Sequence, residues 1–268
     1  MRRRELLSVL GVSAFALRKT MAADAALRFT ALDHVEFLVS DVEKSAAFYA
    51  RVFGNAVLKN NKTTRRYVQI GASYLAMDKG QIRVDHVCAG IPRFDVAALH
   101  AYLDAKGVAY RDFPSGKDLA VTDPDGTRLQ LATDHGWEQL LTGTASPETI
   151  SAGGEPIFRP TGIDHILLNV TDQEKSAAFY ERILGPVAQR NNNRIWFQLG
   201  TGRIGLLQTP AGEKAGVNHY CVGVAKFDYE AAVTKLQQAG VKLDKPEIAG
   251  APDLRDPDGY RVQVMGPR

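Results

Sequence analysis

The chain has 268 residues, 45% hydrophobic and 24% charged, which is enough for two domains that each bury a core. Five of its 33 basic and two of its 30 acidic residues fall within the first 25, so the remainder is electrically neutral and gives no electrostatic case for binding nucleic acid or an anionic membrane. No apolar run approaches the about 18 residues of a membrane-spanning helix, and two cysteines make no disulfide framework.

Residues 1–25 read as an export leader. Arg2, Arg3 and Arg4 precede an apolar run at 6–17, followed by Arg18, Lys19 and small residues around Ala23, the order found in cleavable signals. The Arg-Arg-x-Leu-Leu pattern at 3–7 resembles the twin-arginine type. The expectation is a periplasmic or extracellular protein, or a cytoplasmic one if translation starts at Met21.

Residues 30–134 form the first expected domain. LDHVEFLV at 32–39 alternates as a strand, and the segment after it reads as a helix capped by Ser40 or Asp41 and ended by Gly54. AVLKN, RRYVQIG and SYLAMD are three further strand candidates. The order then restarts with strand VDHVCAGI and a helix between Asp95 and Gly107. VAYRDF, DLAVTD and TRLQLAT follow, with a turn at 123–126 before the last. Residues 135–160 are an apolar and then Gly/Ser/Thr/Pro-rich linker, expected to be packed at its start and loose in its middle. Residues 161–268 repeat the βαβββ–βαβββ order as a second domain. EKSAAFY stands unchanged at 43–49 and at 174–180. At helical spacing Ala46, Tyr49 and Phe53 face a sheet, so this repeat is scaffold and not the site.

Four of the six histidines, His34, His86, His165 and His219, open the first strand of each unit. Equal intervals separate His86 from Gln130 and His219 from Gln263. Each half thus offers His, His and Gln on three strands, a set that suits a metal with open positions if the strands line one concave sheet. Alternation puts Glu36 on the face of His34 and Cys88 on that of His86, with Cys221 as the equivalent cysteine of the second half. Glu36 is then a ligand or general base, or a solvated rim residue. Its counterpart is Leu167, with Asn169 two residues on. Arg128 and Arg261 share the face of the glutamines, either to meet an anionic substrate or to lie in water. Tyr67 or Val68, and Trp196 or Phe197, face the cup and either contact a ligand or only fill the core. A metal-free alternative has the glutamines hydrogen-bonding the histidines in two dry pockets.

The D/N-H strand starts, the FY-x-R-[VI]-[FL]-G helix ends and DPDG-[TY]-R-[LV]-Q resemble the vicinal oxygen chelate superfamily, which includes glyoxalase I, bleomycin-binding proteins and extradiol dioxygenases. The resemblance covers nearly all of residues 30–268. It implies an α+β fold of two domains, each a cupped, incompletely closed eight-stranded sheet of paired βαβββ units. It implies one divalent ion (Fe, Mn, Zn or Ni) at His34, His86 and Gln130 or at His165, His219 and Gln263. The family's last ligand is a glutamate; glutamine coordinates without adding charge. No histidine lies between His165 and His219, and Tyr260 has the wrong parity relative to Gln263, which speaks against ring cleavage. The expected function is a divalent-metal enzyme acting on a small oxygen-rich substrate by lyase, isomerase or dioxygenase chemistry. The alternative is a non-catalytic small-molecule-binding protein. A homodimer is compatible with either.

Overall fold

Alternation along β1 (Ala31–Val39) sorts its side chains onto two faces: Val35, Phe37 and Val39 enter the hydrophobic core, while His34 and Glu36 enter a cup. These positions come from a computed structural model that describes residues 27–54, 56–150, 155–191 and 193–267. The expected export leader and residues 151–154 of the linker lie outside the described residues.

The chain continues into α1 (Val42–Phe53), where Asp41 is the cap and accepts a hydrogen bond from the Lys44 amide at 3.0 Å. Gly54, at φ 55°, takes the left-handed turn that ends this helix. Next come β2 (Val57–Asn60), β3 (Arg66–Ile70) and β4 (Ser73–Lys79). The second unit follows as β5 (Arg83–Ile91), α2 (Val96–Ala105), β6 (Tyr110–Asp112), β7 (Asp118–Thr122) and β8 (Arg128–Thr133). β1 pairs parallel to β4 and antiparallel to β5, so the two units join through their opening strands.

The linker then adds to this sheet. After α3 (Gly136–Gln139) and a wider helical turn, Leu140–Thr144, strand β9 (Ala145–Glu148) pairs with β2 and covers its otherwise open edge. The first sheet therefore has nine strands, not the expected eight, in the order β6-β7-β8-β5-β1-β4-β3-β2-β9.

The second half comprises β10 (Pro160–Val170), α4 (Gln173–Leu184), β11 (Gln189–Asn191), β12 (Arg194–Leu199), β13 (Gly202–Gln208), β14 (Gly216–Val224), α5 (Tyr229–Gln238), β15 (Lys242–Ile248), β16 (Ala251–Arg255) and β17 (Arg261–Met265). Its open sheet has eight strands, ordered β11-β12-β13-β10-β14-β17-β16-β15. β11 and β15 carry no hydrophobic alternation and escape the sequence reading. β15 tolerates Pro246 because it is an edge strand. The fold is thus α+β, with two β-rich domains of paired βαβββ units in open sheets.

The halves hold each other through the repeated motifs. Tyr49 of α1 donates its hydroxyl to Asp256, at 2.8 Å, in the DPDG turn before β17. Tyr180 of α4 does the same to Asp123, at 3.0 Å, in the DPDG turn before β8. Ser45 and Ser176 bond Asp258 and Asp125 in those same turns. One hydrophobic core runs continuously through both halves; Phe37 meets Tyr220 and Tyr260 across it at ring-centroid distances of 5.3 and 4.9 Å. Among the described residues no helix is long and apolar enough to cross a membrane.

Candidate metal centre

Strand register assembles the first site. His34 lies opposite Cys88, which lies opposite Gln130, in one row across β1, β5 and β8. Glu36 lies opposite His86 in the next row. The ring nitrogens Nε2 of His34 and His86 come within 3.1 Å of each other. Each ring is oriented by the residue that precedes it: Asp33 holds His34 Nδ1 at 2.7 Å and Asp85 holds His86 Nδ1 at 3.0 Å.

A carboxylate only accepts, so each Nδ1 carries the hydrogen and each Nε2 presents a lone pair. Two lone pairs facing at this distance repel unless a proton or a cation lies between them. Burial pushes the His86 pKa down.

Gln130 completes the set. Its amide nitrogen donates to Asp118 at 2.5 Å, which fixes the amide orientation and leaves Oε1 buried without a hydrogen-bond partner. An orphaned buried carbonyl of this kind fits a Lewis acid. Neither Gln130 nor Gln263 bonds a histidine, unlike the metal-free arrangement considered above.

Glu36 is buried rather than solvated. One carboxylate oxygen pairs with Arg65 at 2.8 Å, and the other lies 3.9 Å from His86 Nε2. Burial raises the Glu36 pKa, against the lowering effects of His86 and Arg65. Burial also pushes the Cys88 thiol well up. A cavity of about 380 Å³ reaches these groups, lined by His34, Glu36, Arg65, Tyr67, His86 and Gln130.

Tyr67 accepts from Asn60 at 3.1 Å, and its ring meets Tyr74. Tyr74, which sequence reasoning missed, stacks on His34 at 4.5 Å and lines the same cavity. The linker forms one wall, because Trp137 packs on Tyr74 and Leu140 lines the cavity. Arg128 ion-pairs with Asp85, the residue that holds His86 Nδ1. With His86 and then Arg128 against it, Asp85 has its pKa lowered to about 2.

The second half repeats the frame with a different filling. His165 and His219 Nε2 atoms again lie 3.1 Å apart, with Nδ1 held by Asp164 at 2.7 Å and by Asn218 at 2.8 Å. Burial, followed by the proximity of His165, drives the His219 pKa well down. Gln263 Nε2 donates to Asp253 at 3.4 Å, and its Oε1 is again buried and unpartnered.

Here, though, Trp196 stands edge-on to His165 with its ring centroid 5.3 Å away, and the Arg203 guanidinium lies 4.1 Å from the centre of the indole. Gly205 makes room for the indole, since a Cβ there would lie 2.5 Å from the ring. Arg261 pairs with Asp253 at 2.7 Å and with Glu247 at 2.6 Å, and it donates to Asn218 at 3.1 Å. Asn169 also bonds Asn218, at 3.1 Å. Tyr260 points to the first half, donating to Leu38 O at 2.8 Å. His34, His86 and Gln130 are 6%, 8% and 8% exposed, against 2%, 2% and 0% for His165, His219 and Gln263, so the first cup is the more open one.

Both halves therefore carry clusters of candidate divalent-metal ligands: Asp33, His34 and Cys88; Glu36, Asp85 and His86; and Asp164, His165 and Cys221.

The profile of the Glyoxalase/Bleomycin resistance protein/Dioxygenase superfamily matches residues 31–131 and 162–264. A lactoylglutathione lyase of Schizosaccharomyces pombe is 23% identical, spanning 91% of this chain and 99% of its own. The glutathione transferase FosA of Serratia marcescens is 31% identical over 38% of this chain and 78% of its own. Among solved structures, the 2,3-dioxygenase LapB from Pseudomonas sp. KL28 superposes with a TM-score of 0.66 at 16% identity, covering 90% of this chain and 94% of that one. The Mn(II)-bound glyoxalase from Novosphingobium aromaticivorans gives 0.66 at 17% identity, covering 90% and 83%.

Proposed function

This chain belongs to the Glyoxalase/Bleomycin resistance protein/Dioxygenase superfamily, and from that premise we propose that its first half is the working site of a divalent-metal enzyme acting on a small oxygen-rich organic molecule. The observation that carries the reading is the donor set of the open cup: two inward Nε2 lone pairs and an orphaned Gln130 Oε1 beside a buried carboxylate. His34, His86 and Gln130 would hold the ion. Bound there, it would supply Lewis-acid polarisation of a substrate oxygen.

The chain's own residues support proton transfer next to that oxygen. Glu36 is buried, faces the cavity and stands beside His86, which supports its taking a proton from a substrate carbon and returning it elsewhere. Arg65 holds Glu36 in place, and Tyr74, backed by Trp137, forms one wall of the cup together with Leu140. This favours isomerase or lyase chemistry over ring cleavage, and the Schizosaccharomyces pombe relative is named as a lyase. The second half is support, its cup filled by Trp196, Arg203 and the Arg261 ion pairs.

Elemental analysis of the folded protein, prepared without oxygen, tests this. The expected result is one divalent ion per chain, lost in His34→Ala and kept in His165→Ala. No metal in wild type after attempted reconstitution, or loss only in His165→Ala, would overturn it.

A further inference from the structure

Cys88 and Cys221 are the only cysteines of the chain, and both stand on the floor of a candidate metal centre. Cys88 is paired between His34 and Gln130, and Cys221 between His165 and Gln263, so the same row of three is built twice. Sγ of Cys88, a ring nitrogen of His34 and a carboxylate oxygen of Asp33 lie within 4.8 Å of one another. The thiol is fully buried and donates weakly to the Ala89 carbonyl at 3.9 Å. The buried, unpartnered Gln130 Oε1 independently points to a ligand in the same place.

Charge decides what this thiol is for. His34 and His86, protonated at Nδ1, and Gln130 are all neutral donors. The acids around the cup each have a partner already: Glu36 pairs through one oxygen with Arg65, Asp85 with Arg128, Asp33 with His34 Nδ1 and Asp118 with the Gln130 amide. A dication held only by neutral donors keeps its whole charge in a buried site, which is costly. A thiolate on the floor would offset part of it.

We infer that Cys88 is a thiolate ligand of the ion held by His34, His86 and Gln130, and that the site therefore selects a thiophilic divalent ion, of the Zn(II), Co(II) or Cd(II) kind, over Mg(II) or Mn(II). The inference rests on the metal-centre reading above. On binding, the S–H bond is exchanged for an S–metal bond and the proton leaves to solvent, with no change of oxidation state.

Protein loaded with Co(II) tests it without reference to activity. Wild type should show a near-ultraviolet thiolate-to-cobalt charge-transfer band that is lost in Cys88→Ser. If both cups load, Cys88→Ser should reduce the band and the double variant with Cys221→Ser should abolish it. X-ray absorption of the zinc-loaded wild type needs no variant and should find a sulfur at about 2.3 Å from the metal. Cobalt bound with neither the band nor a sulfur shell, or a band unchanged in Cys88→Ser, would overturn the ligand role and leave the metal centre standing. Failure of wild type to take up any cobalt would overturn both.

Discussion

Asp33, Asp85, Asp164 and Asn218 each precede a histidine, and each grips that histidine's Nδ1. The residue before each histidine therefore decides which lone pair the ring offers. This pattern is written four times in the chain as D/N-H, and the histidines could be picked out by that recurrence alone. The parity that aims Glu36 into the cup was equally legible. Its burial was not, because that depends on Arg65 and on the linker folding over the cup. Tyr74 left no signal at all: its place opposite His34 is taken by Arg203 opposite His165, so the repeat hides it. For Glu36 the expected outcome of Glu36→Gln is a fall in kcat of roughly 10²- to 10⁴-fold with the metal retained. Steady-state kinetics alongside metal content check this, and loss of the metal together with activity would make Glu36 a ligand instead.

At the scale of elements, the repeated heptapeptide and the DPDG turn are two sides of one joint. α1 and α4 each send a tyrosine hydroxyl and a serine hydroxyl into the opposite half's turn. The sequence showed Tyr49 facing inward, but only the pairing of units reveals that it faces the other half's acid. Asp256 also accepts the amides of Asp258 at 3.0 Å and Tyr260 at 2.8 Å, so it organises its own turn while receiving Tyr49. Tyr49→Phe removes one donor from a buried carboxylate, a loss of about 1–3 kcal/mol. Tyr180→Phe should cost a similar amount, and because the two joints share no partner the double variant should lose roughly the sum. Urea unfolding of the four proteins measures it. The linker was harder to read, since Ala145–Glu148 carries little strand propensity and becomes β9 only because β2 offers it an open edge.

Over the whole molecule, the duplication has left one cup accessible and one packed with the chain's own side chains. The two-domain plan could be seen in the repeat, whereas this asymmetry is set by single differences such as Trp196 for Tyr67 and Leu167 for Glu36. The reciprocal joint has a separate consequence. Each half owns both the plug, Tyr49 or Tyr180, and the socket, the turn at Asp123 or Asp256. A half is therefore self-complementary, and two copies of it related by a twofold axis could satisfy the same bonds isologously. A chain ending at residue 150 should then elute as a dimer in size-exclusion chromatography, and Tyr49→Phe should shift it towards monomer; a folded, monomeric half would count against this. In that light each half of the intact chain stands to the other as one subunit of a twofold dimer stands to its partner.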